Sequence, residues 1–469
     1  MSLERSQQID AHKNAKSAFA DFPRFEGDAT HRQAEKQAFI ESKNYTPAYD
    51  YEKLDSIPYD DSIQAKKTAV YEAILELEAA KSEPGANIAE LEIYAGYHEA
   101  RLKKIMLVEA AHAVNHATTS GEWEVAMHGF NLMNQETYGA FDTPTFESML
   151  ATEVGRANAF EPKTEAARDI QTTLKKLLGH EKMDVQPEQP LMSDELLGKL
   201  KAVITERYEP VLAAVPETDD DVYYDAEECA RIMSDALVAG GLAEKGWKIV
   251  IDPNKANPTT NTAKRTITLP GSTRRNASEL RRLIVHEQEV HARRGENGRA
   301  TGFKPLESGT ADYADVEEGL GVLFECAIAG NWDNASFNRA RDRYITAGLA
   351  LGADGTPRDA RQVYEVLWRT FAVRESVDGD ISDEAIEKAK ELAYNHVENA
   401  FRGTEFWMRG VIYTKLKVYY EGLRKNADFI TEHADNIEAA IDTAVIGKYD
   451  HTNGHERSDI SAVLSGHNV

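Results

Sequence analysis

Two imidazoles five residues apart, in His286-Glu287-Gln288-Glu289-Val290-His291, constrain this chain more than any other feature. They fall within an apolar helical pattern of Leu280, Leu283, Ile284 and Val290. On a regular helix, at about 100° per residue, five steps leave two side chains roughly 140° apart. Histidines four apart, as in the H-E-x-x-H motif, share a face and can hold one metal ion. Five apart, they can do so only if the helix widens locally, as in a π-bulge, or ends near His291. Gly295 fits an approaching end. A His and a Glu on a partly buried helix also need polar partners.

A second apolar helix begins at Glu317-Glu318-Gly319-Leu320, with acids near its start. The helix dipole alone favours acids there. Together, the two segments contain the parts of a catalytic zinc centre. Such centres take three protein ligands from His and Glu and leave one position to water. A further carboxylate, not bound to the metal, removes the water's proton. His286 and His291 are the candidate nitrogen ligands, one of Glu317 and Glu318 the third, and Glu287 the general base.

The 469 residues suffice for two domains, or one large one with an extension, and a hydrophobic content of 42% for a packed core. No run of about 18 apolar residues predicts a membrane span, and the polar N-terminus does not read as a secretory signal. Cys229 and Cys326 both sit in apolar helical patterns and read as reduced core thiols, which places the chain in the cytoplasm. A net charge of −25 argues against nucleic acid or an anionic membrane as partner. Between Arg274 and Lys304 the balance reverses, with eight basic side chains against four acidic ones. That excess suits a substrate with a negative end, although solvated helix charges would look the same.

Helical periodicity covers residues 65–80, 88–116, 121–134, 146–158 and 163–179. A polar stretch from Glu181 to Pro190 reads as a linker, and the aromatic cluster Tyr45 to Tyr51 as an extended segment on the core. Ser193 caps a further helix, and another ends at Gly240-Gly241. Strands are expected at Trp247–Ile251 and Arg265–Leu269, separated by a loop of Asn, Thr and Pro. Asn276 with Glu279 forms a capping pair that opens the helix carrying the two histidines.

Arg282-Leu283-Ile284-Val285-His286-Glu287-x-x-Val290-His291-x-x-Arg294-x-x-Asn297-Gly298, followed by Glu318-Gly319-Leu320, resembles the tyrosine/phenylalanine carboxypeptidase family. That family includes tubulin tyrosine carboxypeptidases and bacterial proteins with a QEGLA motif, and the five-residue His spacing is one of its features. The resemblance selects Glu318 over Glu317 as third ligand. Gly321 stands where the family usually has Ala. Arg402-Gly403 and the stretch from Tyr413 to Gly422 resemble the family's later motifs, with Leu416 replacing an Asp.

The expected protein is mostly α with a small β-sheet: a helical N-terminal region (1–190), a zincin-like metallopeptidase domain (191–448) and a polar, frayed tail (449–469). The expected site holds Zn²⁺ on His286, His291 and Glu318, with Glu287 as base. The resemblance implies release of a C-terminal Tyr or Phe from a peptide or protein. Arg294, Arg402 and Lys415 are candidates for holding its free carboxylate, and Tyr413 or Tyr419 for stabilising the oxyanion. Two alternatives remain open here. One is an endopeptidase or aminopeptidase with the same metal chemistry; the other is a non-catalytic interaction protein with a structural zinc.

Overall fold

The computed structural model describes residues 29–47, 63–179, 185–253, 255 and 257–466. Residues 48–51 of the aromatic cluster and 181–184 of the expected linker lie outside them. The chain opens with α1 (Ala29–Ile40), α2 (Gln64–Ala80), α3 (Ile88–His116), α4 (Ser120–Tyr138), α5 (Thr143–Ala159) and α6 (Glu165–Leu178). Side-chain caps set the starts of four of these. Asn87, Thr119, Asp142 and Thr164 each accept a hydrogen bond from a first-turn N–H that has no partner within the helix. The helices expected from periodicity are present, with ends shifted by up to four residues.

Ser193 caps α7 (Asp194–Arg207) as expected, and the short α8 (Glu209–Leu212) follows. A capping box of Asp225 and Glu228 opens α9 (Ala226–Ala239), which Gly240 closes. Two small sheets follow. β1 (Tyr223–Tyr224) pairs antiparallel with β5 (Arg275–Asn276). The other runs in the order β2 (Lys248–Asp252), β4 (Thr266–Pro270), β3 (Thr259–Asn261). β2 is parallel to β4, and β3 is antiparallel to it. β2 and β4 are the expected pair, shifted by one residue; β3 is an addition from the segment read as a loop, where Asn and Thr give no alternating apolar signal.

The Asn276–Glu279 capping box opens α10 (Ala277–Ile284). A π-helical segment (Val285–Ala292) and α11 (Arg293–Ala300) continue it. After α12 (Lys304–Ser308) come α13 (Tyr313–Ala329), α14 (Ala335–Leu351), α15 (Ala360–Arg374) and α16 (Asp383–Ala400). A 3₁₀ turn (Thr414–Lys417) leads into α17 (Val418–Glu432), then α18 (Ile437–Val445) and α19 (Gly454–Gly466). α13 and α17 cross through paired glycines. A Cβ at Gly319 would stand 1.9 Å from the Gly422 carbonyl carbon, and one at Gly422 1.8 Å from the Asp315 carbonyl oxygen. The two backbones therefore touch, and no larger residue fits at either position.

One buried core runs from Phe39 of α1 to Val445 of α18, so the first helices and the later ones share it. Glu153 of α5 is buried between Arg341 of α14 and Arg374 of α15 and adds a polar tie to this shared core. The expectation of a frayed tail from 449 is corrected. Tyr449 and His451 are buried, and Ile460 and Val463 of α19 pack with Leu91, Ile93 and Tyr94 of α3. The apolar residues of this segment are too sparse to give a clear periodic signal, yet two of them three apart make a buried face. No helix among the described residues is long and apolar enough to cross a membrane.

Candidate metal centre

The helix carrying the histidines widens rather than ends. With hydrogen bonds spanning one more residue per turn, five residues return the chain to nearly the same face. His286 and His291 then face each other, with ring centroids 4.8 Å apart. Past Ala292 the helix returns to α geometry as α11. Glu318 comes in from the first turns of α13. Its Oε2 lies 3.8 Å from His286 Nε2 and 3.9 Å from His291 Nε2. One ligand atom from each of the three residues falls within 4.8 Å of the others, a set that could hold one metal ion.

The remaining ring nitrogens are committed elsewhere. His286 Nδ1 lies 2.5 Å from Glu325 Oε1, and Glu325 also accepts from the Ser336 hydroxyl. His291 Nδ1 lies 2.7 Å from Glu317 Oε1. Glu317 in turn is 2.6 Å from Lys448 Nζ and 3.4 Å from Arg294 Nη1. Each carboxylate fixes its imidazole with N–H at Nδ1 and the Nε2 lone pair turned to the shared point, the arrangement metal-binding histidines use. Gly321 leaves room for this. A Cβ there would come within 2.7 Å of the His286 ring, so the Gly that replaces the family's Ala lets the imidazole lie against the α13 backbone.

The charges follow from the same contacts. Burial works to raise the Glu318 pKa, but the His286 hydrogen bond and the charges of His291 and Lys415 hold it at about 2. Glu317 is also buried, and Lys448, His291 and Arg294 keep it well below the usual carboxylate range. Burial opposes protonation of His286, yet Glu318, Glu325 and Glu287 raise its pKa well above the ordinary value. The metal-free pocket thus attracts positive charge, and a metal ion would displace a proton to enter.

Glu287 is buried one residue past His286. Thr260 of β3 donates its hydroxyl to Glu287 Oε2 at 2.6 Å. The strand that the sequence did not announce therefore positions the candidate base. Arg294 is a correction: it does not reach a substrate. It is fully buried, donates to the Gly447 and Tyr449 carbonyls at 2.8 and 2.6 Å, and meets Glu317. Its conspicuous charge is spent inside the protein. The same holds for much of the positive excess between Arg274 and Lys304. Arg293, Arg299 and Lys304 pair with Glu289, Glu296 and Glu307.

The other candidates lie near the pocket. Lys415, half-buried on the 3₁₀ turn, acts electrostatically on Glu318, Tyr413 and Tyr419. The Arg402 guanidinium lies 4.9 Å from the centre of the Tyr413 ring, and its buried Nε has no hydrogen-bond partner among the described residues. Tyr413 shares a 2.9 Å hydrogen bond with Tyr138 of α4. Tyr419 is half-buried, with the Arg343 guanidinium 4.0 Å from the centre of its ring. Three residues with defined places here were not singled out for them from the sequence: Glu325, Thr260 and Lys448. Glu317 was weighed only as a ligand or a helix-start acid. Glu325 alone left a trace, since residues 318, 321 and 325 recur at helical spacing and so share a face of α13.

A converging pair of imidazoles and a carboxylate, each imidazole backed by a second carboxylate, with another acid alongside, has the build of a metallohydrolase site. A family model described as MATCAP, microtubule-associated tyrosine carboxypeptidase, matches residues 197–455. The match covers more than half of the chain, and the protein belongs to this family of peptide hydrolases. No curated protein and no solved structure matches significantly.

Proposed function

We propose that the protein is a zinc-dependent carboxypeptidase of zincin-like build that removes a C-terminal aromatic residue, Tyr or Phe. The convergence of two Nε2 atoms and one Glu318 oxygen, with both Nδ1 atoms tied to carboxylates, carries this reading. The residues fit zinc by donor type. Metal–ligand distances of about 2.0–2.1 Å in a tetrahedron imply ligand atoms about 3.3–3.5 Å apart. The Nε2–Oε2 separations of 3.8 and 3.9 Å need only a small contraction.

Zinc, when bound, would acidify a water and polarise the scissile carbonyl. His286, His291 and Glu318 would hold it. Glu287, anchored by Thr260 through Oε2, offers its other oxygen to the water's proton. It then delivers that proton to the leaving amine as the C–N bond breaks and the new C–O bond remains in the product acid. Thr260 lies on β3, an outer strand of its sheet, whose free edge suits pairing with an extended substrate backbone. Tyr413 and Tyr419 remain candidates for the phenol that hydrogen bonds to the developing oxyanion.

Arg402 and Lys415 favour exopeptidase action at the C-terminus over the endopeptidase and aminopeptidase alternatives. Both are cations near Glu318 or Tyr413 with no ion pair among the described residues, and a free α-carboxylate would give them one. The buried free thiols Cys229 and Cys326 support a cytoplasmic setting. The test uses two peptides ending in Tyr, one as the free acid and one as the amide, with products read by mass spectrometry. The proposal expects free Tyr from the acid, abolished by a zinc chelator and restored by zinc, with the amide cut about ten- to a hundredfold more slowly. Equal cleavage of both would replace it with the endopeptidase reading.

A further inference from the structure

One face of α3 crosses the site. Tyr97, Arg101, Lys104 and Asn115 lie at i, i+4, i+7 and i+18, which puts them within about 40° of one line along the helix. The two ends of that line are anchored on the parts of the chain that build the pocket. At one end, Gly96 packs against Ala311 and Tyr97 lies beside Ser308, just before α13 and its ligand Glu318. At the other, Asn115 donates to the Gly403 carbonyl at 2.9 Å, next to Arg402. Arg101 and Lys104 lie between these two ends on the same face of α3, and Lys415 and Asp312 are the charged groups from other elements that act on Lys104.

Lys104 is half-buried there, and among the described residues its ammonium has no hydrogen-bond or ion-pair partner. Its strongest charged neighbours are cations, Lys415 and Arg101, with Asp312 acting more weakly. Burial and those two charges pull its pKa down to about 8. Among the described residues Lys415 likewise has no ion pair, although Tyr413, then Tyr419 and Glu318, act on it and raise its pKa against the effect of burial. Asp312 and Glu318 act on this pair without forming an ion pair with either ammonium, so a bound anion placed between the two would be favoured.

We infer that Lys104, from the N-terminal helices, is a specificity-determining residue that joins Lys415 in holding the α-carboxylate of the substrate's last residue. This inference rests on the carboxypeptidase reading above. It places part of the recognition machinery outside the segment 197–455 that matches the family model. Arg402 lies over the ring of Tyr413, the residue that acts most strongly on Lys415.

The experiment compares Lys104→Gln and Lys104→Arg with wild type, zinc-loaded and full length, on the Tyr free-acid and Tyr-amide peptides. Lys104→Gln is expected to lower kcat/KM for the free acid by about ten- to a hundredfold, mostly through KM. The loss for the amide should be far smaller, and Lys104→Arg should recover much of the preference. Inhibition by free L-tyrosine supplies a second readout. Lys104→Gln should weaken it, whereas inhibition by tyramine, which lacks the carboxylate, should change little. Zinc content and thermal midpoint check that the variant is folded. If wild type prefers the acid and Lys104→Gln prefers it equally, or loses both peptides in proportion, this inference is overturned and the carboxypeptidase reading stands. A wild type indifferent to the terminal carboxylate would remove both.

Discussion

Glu317 and Glu325 perform the same task for the two imidazoles under different electrostatic conditions. Glu325 is hydrogen bonded to His286 and to the neutral hydroxyl of Ser336. Glu317 is enclosed by His291, Lys448 and Arg294. Removing either charge should loosen one ligand, and losses of a metal ligand's outer partner typically cost about 10–100-fold in affinity. Glu325→Gln is therefore expected to weaken zinc binding by that factor at near-normal stability. Glu317→Gln should weaken zinc similarly and also destabilise the fold by about 3–5 kcal/mol, because it strands two buried cations. Chelator competition and urea unfolding measure the two quantities, and equal stability of the two variants would refute the distinction. At this scale the motif pointed to His286, His291 and Glu318, which the fold brings together, but it could not rank the acids behind them. A carboxylate at a helix start looks the same whether it faces solvent or an imidazole. Arg294 misled for the same reason: charge is visible in a sequence and burial is not.

The elements were legible where local chemistry fixes them and obscure where only packing does. The capping box of Asn276 and Glu279 and the five-residue His spacing announced a helix that either widens or ends, and it widens. β3 and α19 were missed because their stability comes from neighbours: β3 from pairing with β4, α19 from two residues packed on α3. The role proposed for Lys104 of α3 was also hidden, since Lys104 belongs to no motif. Contacts between distant elements carry a measurable pH signature. Burial would raise the pKa of Glu153, but Arg374, Arg341 and Arg156 hold it at about 2, against an ordinary 4.5. A pKa depressed in the folded state stabilises above the ordinary value, and that stabilisation fades as pH falls through the folded one. Glu153 should thus contribute on the order of 3 kcal/mol above pH 5, lost progressively toward about pH 2. The gap in unfolding free energy between wild type and Glu153→Gln should narrow from pH 6 to pH 3. A gap that stays constant would show that Glu153 is not held as an anion between α14 and α15.

Across the whole molecule, a chain of net charge −25 keeps three cations, Lys104, Lys415 and Arg402, without an ion pair among the described residues. Half of the eight basic residues around the histidine motif are instead paired with internal acids, so much of the positive excess seen in the sequence does not face the pocket. The family match ends at residue 455 and begins after the N-terminal helices, yet one core joins both parts. The central claim is that His286, His291 and Glu318 form a zinc centre. A crystal of the zinc-loaded protein, with anomalous differences collected at the zinc absorption edge, tests it most directly. The account predicts one strong peak per chain, about 2.0–2.2 Å from His286 Nε2, His291 Nε2 and a Glu318 oxygen. A peak elsewhere, or none at that point in a zinc-saturated crystal, would contradict it.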